Sequence, residues 1–185
     1  PTRSRSSRIA SLTTDSLVLV ADGSTTGGTA SIDVGYANDG VTVGNLTTDM
    51  LTASANGAAA AGEVLLNVAA ESSANIGVAT LSALGAEPGS GGISIFVGSG
   101  YSYGEGPVTT GLFADSLILN SSGPIYIEFA NGALFDVDGA FTATSDDEID
   151  IVDNGGESKG DVTVGGALSL SGASILAGNL SAGGA

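Results

Sequence analysis

Carboxylates are the side chains of this sequence that could do chemistry. The densest run, TSDDEIDIVDNGGE, places six acidic residues within residues 144–157. Ca²⁺ takes six to eight oxygen ligands, which clustered carboxylates at a turn can supply. The run has neither the EF-hand spacing nor a glycine-rich calcium-binding nonapeptide. We interpret it as a solvated acidic loop, with a calcium site as the alternative. The candidate ligands are Asp146, Asp147, Glu148, Asp150 and Asp153.

Two carboxylate pairs have a spacing that glycoside hydrolysis could use, since that reaction needs two carboxyl groups about 5 to 9.5 Å apart. Asp136 and Asp138 lie in LFDVDG, and Asp150 and Asp153 lie in EIDIVDNGG. We interpret both pairs as exterior strand or turn acids. Polysaccharide lyases need a base and cations, yet the chain has no His and no Arg after Arg8. A serine nucleophile would also lack a base. The sequence therefore predicts a protein that is not an enzyme and has no cofactor.

The charge of the chain is negative and unevenly distributed. Arg3, Arg5 and Arg8 lie in PTRSRSSR, and only Lys159 follows, against 20 acidic residues in the whole chain. Such a surface repels nucleic-acid phosphates and anionic membranes. No apolar run approaches the roughly 18 residues that span a bilayer, so we expect no membrane insertion. The sequence predicts a flexible basic tail over residues 1–8 and a single domain over residues 9–185.

The elements that must position these side chains form an internal repeat. One aligned column places apolar residues at separations of 34, 33, 33 and 34, and it consists of Leu17, Leu51, Leu84, Leu117 and Ile151. A second column has separations of 34, 29, 32 and 35, and it consists of Ile32, Leu66, Ile95, Ile127 and Val162. Two columns with matching periods indicate a repeat of about 33 residues.

Within each unit, three short runs alternate apolar and polar residues, as in VTTGLF, SLILNSSG and PIYIEFANG. Alternation at period two is typical of half-buried strands. Three strands per turn predict an all-β fold, a parallel β-helix of about five to six coils. Asp15, Asp49 and Asp115 precede their column leucines by two and are predicted to cap turns. The alternative is an antiparallel β-sandwich or jelly roll, which gives no reason for columns that recur every 33 residues.

Two stretches, LTTDSLVLVADGSTTGGTASIDV and GDVTVGGALSLSGASILAGNLSAGGA, resemble the repeats of filamentous-haemagglutinin-like exoproteins. Those proteins are secreted bacterial adhesins that fold as right-handed parallel β-helices, and autotransporter passenger domains are similar. The resemblance implies a right-handed β-helix in an extracellular or cell-surface stalk or adhesive fibre. This chain is shorter than such exoproteins, its coils are longer, and no recognisable secretion-directing domain precedes it.

A glycine-rich loop, GSGYSYGEGP, carries Tyr101 and Tyr103. Exposed tyrosines can stack on sugars or pack against a partner protein. The alternative is an ordinary insertion at a corner between strands.

The two ends of the predicted β-helix favour assembly. Residues 162–185 carry no charged side chain and keep the strand rhythm, while Arg3, Arg5 and Arg8 lie at the other end. A head-to-tail contact would pair open strand edges and place the arginines near another subunit's acids, and such contacts propagate into filaments. Alternatively, the neighbours are coils of a longer chain. We therefore expect a structural or adhesive protein, with a carbohydrate-binding module as the second hypothesis and an acidic-pair glycosidase as the third.

Overall fold

The computed structural model describes residues 7–9, 11–35, 41–99, 110–130, 133–154, 162–178 and 180–183. These residues form strands, turns and bends, and none of them lies in a helix. Within this part of the chain, no helix is long and apolar enough to cross a bilayer. The described strands are β1 (Ser7–Ile9), β2 (Leu12–Val20), β3 (Thr29–Val34), β4 (Val41–Val43), β5 (Asn45–Ser54), β6 (Glu63–Ala69), β7 (Ser73–Ala83), β8 (Gly92–Ser99), β9 (Gly111–Ser121), β10 (Ile125–Ala130), β11 (Leu134–Val137), β12 (Phe141–Ser145), β13 (Glu148–Asn154), β14 (Val162–Val164), β15 (Leu168–Ser171), β16 (Ser174–Ala177) and β17 (Leu180–Ala182).

The strands form two parallel sheets. Sheet A has eight strands in the order β1-β4-β3-β6-β8-β10-β13-β16. Sheet B has nine strands, seven of them in the order β17-β14-β11-β9-β7-β5-β2, with β12 beside β9 and β15 beside β12. From β4 onward the chain alternates between the sheets, except that β11 and β12, and likewise β14 and β15, follow each other within sheet B. Each of these strands pairs with a strand of the preceding pass.

All pairings between the described strands are parallel, so the antiparallel sandwich or jelly roll of the alternative prediction is wrong. The all-β prediction is confirmed for the described residues. Strand β1 pairs with β4, so sheet A includes Ser7 and Arg8 from the segment predicted to be a tail.

The second predicted column agrees with the observed register over four strands. Ile32 pairs with Leu66, Leu66 with Ile95, and Ile95 with Ile127. The column is wrong at its last member, because Ile127 pairs with Ile151 and Val162 lies in sheet B.

The first predicted column is correct for Leu17 and Leu51 but wrong at Leu84, because Leu51 pairs with Ala79 and Ala79 with Leu117. Leu84 follows β7 and is 46% exposed. The column also fails at its last member, because Leu117 pairs with Phe141 rather than with Ile151. The repeat is therefore not constant: 34 residues separate Leu17 from Leu51, whereas 24 separate Leu117 from Phe141.

The core lies between the inward faces of the two sheets. Most of its side chains are Ala, Val, Leu and Ile in register with one another, so each residue packs on its equivalent in the next strand. Three phenylalanines are also buried, and the rings of Phe135 and Phe141 meet at a centroid distance of 5.9 Å. The buried polar side chains of the described residues are serines and one threonine, so burial of the apolar ladders is the main stabilising contribution.

The long strands of sheet B bend at one position. In β2 the in–out alternation breaks at Asp15 and Ser16, which are both exposed, and β5 repeats this at Asp49 and Met50. The hydroxyl of Thr14 donates to the carbonyl of Ser16 at 3.1 Å, and Thr48 donates to Met50 at 2.9 Å. These threonines, rather than the predicted aspartates, make the side-chain hydrogen bonds that the structure gives across the bend.

A glycine occupies the bend where the third long strand crosses it. A Cβ atom on Gly77 would lie 2.4 Å from the carbonyl oxygen of Asp49 in the neighbouring strand. Gly139 and Gly165 have the same relation to the carbonyl oxygens of Asp115 and Asp138, each at 2.3 Å. Glycine is therefore required at these points because a neighbouring backbone occupies the space that a side chain would need.

We expect Gly77→Ala to lower the free energy of unfolding by about 1–3 kcal/mol, because the new methyl group must displace the backbone of β5. Gly178→Ala is the matched control, since its Cβ would meet its nearest atom at 3.8 Å. The control should leave stability nearly unchanged. Urea unfolding followed by circular dichroism measures both variants, and equal losses would show that crowding at the bend is not the cause.

Candidate functional site

A groove of about 310 Å³ opens on the outer surface of sheet B beside the bend. We call it the corner groove. Neighbouring strands β5, β7, β9 and β11 supply its walls, so residues far apart in the sequence meet there. It is lined by Thr47, Thr48, Asp49, Asn75, Ile76, Gly77, Phe113, Ala114, Asp115, Asp136 and Asp138.

One outward-facing ladder crosses the corner groove. Thr47 pairs with Asn75, Asn75 with Phe113, and Phe113 with Asp136. Parallel register brings these four side chains side by side on the same face, about 4.8 Å apart from strand to strand. A hydroxyl, an amide, an aromatic ring and a carboxylate therefore line one continuous track.

The ring of Phe113 lies across Gly111. A Cβ atom on Gly111 would come within 2.6 Å of Cζ and 2.7 Å of Cε2 of that ring. The missing side chain makes room for the ring on the outer surface. Phe113 remains partly exposed, so the groove contains an aromatic surface that solvent can reach.

Four carboxylates line the corner groove. Asp49, Asp115 and Asp138 lie at or next to the bend, and Asp136 lies one strand over from Phe113. The first three are exposed, and Asp136 is half-buried. Among the described residues, no three acidic side chains come close enough together to hold a metal ion. The corner groove is therefore acidic, but its geometry is not that of a metal centre.

The acidic run lies elsewhere. Asp146, Asp147 and Glu148 are exposed around the turn between β12 and β13, where the hydroxyl oxygen of Ser145 accepts from the amide of Asp147 at 2.9 Å. Asp150 is half-buried on the outer face of sheet A. Among the described acids of this run, no three side chains come close enough together to hold a metal ion. Asp153 belongs to β13, but its side chain lies outside the described residues.

Other predicted site residues fall outside the described part of the chain. Arg3, Arg5, Tyr101 and Tyr103 are among them, and Arg8 is described only as a member of β1. Sequence reasoning named Asp136 and Asp138, and both line the corner groove.

Sequence reasoning missed Asn75 and Phe113. Their position on the polar, outward side of alternating strands was a usable signal. The sequence offered no signal for which residues these two would meet across the strands, because that depends on the pairing register.

At the β2 end, the core opens to solvent through an apolar cavity of about 170 Å³. We call it the apolar mouth. β2 is the terminal strand of sheet B in the described residues, and its inward side chains are only partly buried. The lining residues are Leu12, Leu17, Leu19, Ser31, Ile32, Asp33, Val34 and Leu46.

The opposite end of the core is similar. Leu168, Leu170 and Leu180 pack against the core but are only partly buried, in contrast to the fully covered ladders between the ends. Ile175 in β16, the terminal strand of sheet A, pairs with the buried Ile149 and is 46% exposed. Apolar side chains that are buried elsewhere in the stack therefore reach solvent at both of its ends.

The outer face of sheet A carries a half-buried tyrosine. The hydroxyl of Tyr126 donates to Oε2 of Glu128 at 3.0 Å, and its ring contacts Phe96 at a centroid distance of 5.8 Å. Asp150 pairs with Tyr126 from the next strand, and its Oδ1 atom is buried without a hydrogen-bond partner. Burial, the hydrogen bond to Glu128 and the charges of Glu128 and Asp150 raise the pKa of Tyr126 above its usual value of 10.0.

The raised pKa of Tyr126 predicts a loss of stability at alkaline pH. The folded protein holds this proton more tightly than the unfolded chain does. The contribution is therefore complete below the unfolded pKa of about 10 and is lost as the pH rises through the folded-state pKa. Tyr126→Phe lacks the hydrogen bond to Glu128 and should be less stable by roughly 0.5–1.5 kcal/mol at pH of about 8.

Urea unfolding of both proteins from pH of about 8 to about 11.5 measures this effect. The difference between wild type and Tyr126→Phe should shrink as the pH rises. A difference that stays constant would contradict the linkage. Absorbance titration of tyrosinate should show that the variant has lost the tyrosine that ionises at raised pH.

No protein-family model, curated protein or solved structure matches this chain. Functional inference therefore depends on the residues and surfaces described above.

Proposed function

We propose that this chain is a non-enzymatic structural or adhesive protein of the cell surface or extracellular space. In this proposal its two sheets are the walls of a right-handed parallel β-helix of five to six coils. Its binding partners are further coils, supplied by a second copy of the chain or by neighbouring coils of a longer chain. The resemblance of its repeats to secreted adhesins supports the location and the handedness.

The observation that carries this proposal is the exposure of the core at both ends of the stack. The apolar mouth leaves Leu12, Leu17 and Leu19 in contact with solvent, and the nine-residue β2 has no outer neighbour among the described strands. An uncovered strand edge presents unpaired N–H and C=O groups that favour pairing with another strand. An additional coil would form hydrogen bonds with these N–H and C=O groups and would at the same time bury the leucines of the apolar mouth.

The two ends are complementary in direction. All described pairings are parallel, so one end of each sheet can receive the other end of a second copy without reversing the strands. The β17 end offers Leu168, Leu170 and Leu180 to the leucines of the mouth. A contact between two different ends does not close on itself, and it therefore propagates into a fibre.

We expect purified protein to form filaments, and Leu17→Lys to abolish them. A lysine at this position would place an unpaired charge between the apolar side chains of two coils. We expect the apparent affinity between subunits to fall by at least about tenfold. Val78→Lys is the matched control, since Val78 is 42% exposed on β7, in the middle of sheet B.

Negative-stain electron microscopy and analytical ultracentrifugation measure the outcome, with circular dichroism to confirm folding. The same assays without residues 1–8, and with and without calcium, test the predicted roles of the arginines and of the acidic run. Discrete particles of wild type at every concentration would contradict self-assembly. Because Ser7 and Arg8 belong to β1, only a requirement for residues 1–6 would identify the arginine segment as the docking element.

A further inference from the structure

We propose that the corner groove is a carbohydrate-binding site that favours sugars carrying free amines. This inference goes beyond stacking of the chain and does not depend on it, because the groove is built from strands in the interior of sheet B. None of the terminal strands of that sheet (β2, β15 and β17) contributes a lining residue.

The first requirement of a sugar site is an aromatic surface, because the apolar face of a pyranose ring packs on aromatic carbons. Phe113 supplies it. Its ring lies over Gly111 and is flanked by the outward side chains of Asn75 and Asp136. These neighbours restrict the ring to one position, so Phe113 loses little side-chain freedom when a ligand binds.

The second requirement is a row of polar groups beside the platform, because sugar hydroxyls must exchange hydrogen bonds with water for hydrogen bonds with protein. Thr47 and Asn75 provide a hydroxyl and an amide on one side of the ring, and Asp136 provides a carboxylate on the other. The strand spacing repeats along the ladder at about 4.8 Å. The track therefore suits an extended oligosaccharide lying across the strands.

The charge of the groove selects among sugars. Asp136 lies across from Phe113, and Asp49, Asp115 and Asp138 line the rest of the groove, in a chain whose formal net charge is −16. Uronic and sialic acids would be repelled. A protonated amine on a sugar ring would be attracted by these carboxylates and could also approach the ring face of Phe113.

The test compares oligosaccharides that share a ring and differ in charge. Soluble oligomers of glucosamine, N-acetylglucosamine and galacturonic acid are titrated into the whole protein by isothermal titration calorimetry. The glucosamine oligomer should bind at least about tenfold more tightly than the N-acetylated one, and the galacturonate oligomer should not bind. Raising the salt from about 0.05 M to 0.5 M should reduce this preference, because salt screens exposed charges.

Three variants assign the effect to the groove. Phe113→Ala should weaken binding of the glucosamine oligomer by at least about fivefold, whereas Phe113→Tyr should keep it. Asp136→Asn should reduce the preference for the free amine over the acetylated sugar. Phe96→Ala is the matched control, because Phe96 is a partly exposed aromatic residue on the other sheet and should leave binding unchanged.

Three results would overturn the proposal: no binding of the glucosamine oligomer, binding that Phe113→Ala leaves intact, or equal affinity for a lysine peptide of the same charge. The last would mean that the groove attracts cations without recognising a sugar. The Leu17→Lys variant separates this proposal from stacking, because it should bind the glucosamine oligomer normally even when it forms no filaments.

Discussion

Parallel register between successive passes of the chain is the constraint on which the rest of the structure depends. Each strand takes its backbone hydrogen bonds from the strands before and after it in the stack. Ile32, Leu66, Ile95 and Ile127 therefore lie directly in line. A one-residue slip would turn every inward side chain toward solvent, so burial of the core and hydrogen bonding of the backbone enforce the same alignment.

The bend in sheet B shows how that constraint reaches the surface. Two successive outward residues at Asp15 and Ser16 break the alternation of the strand, and the hydroxyl of Thr14 bridges the break. The bend brings backbones so close that Gly77 cannot carry a side chain. The corner groove opens beside this bend, and Asp49 and Gly77 belong to both.

The ends and the groove offer different kinds of contact. At the ends, leucines and open strand edges favour another copy of the same structure, since only a parallel strand in register can satisfy both. In the groove, polar side chains surround a single aromatic ring, which favours a small ligand with both polar and apolar faces. Strand β5 contributes to both surfaces, but no residue that lines the groove lies on a terminal strand, so a stacked rod would keep its corner groove open.

The sequence by itself determined the elements of this protein. Period-two alternation located the strands, and chemically similar residues at β3, β6, β8 and β10 identified four members of one inward column. Only the tertiary structure decided the register where the connections change length. Leu84 has the sequence context of a column member, yet Ala79 occupies that position, because pairing follows the match of neighbouring inward faces rather than a constant period. For the same reason, the proximity of Asn75, Phe113 and Asp136 could not be predicted from the sequence. Strand pairing brings these residues together, and no local pattern encodes it.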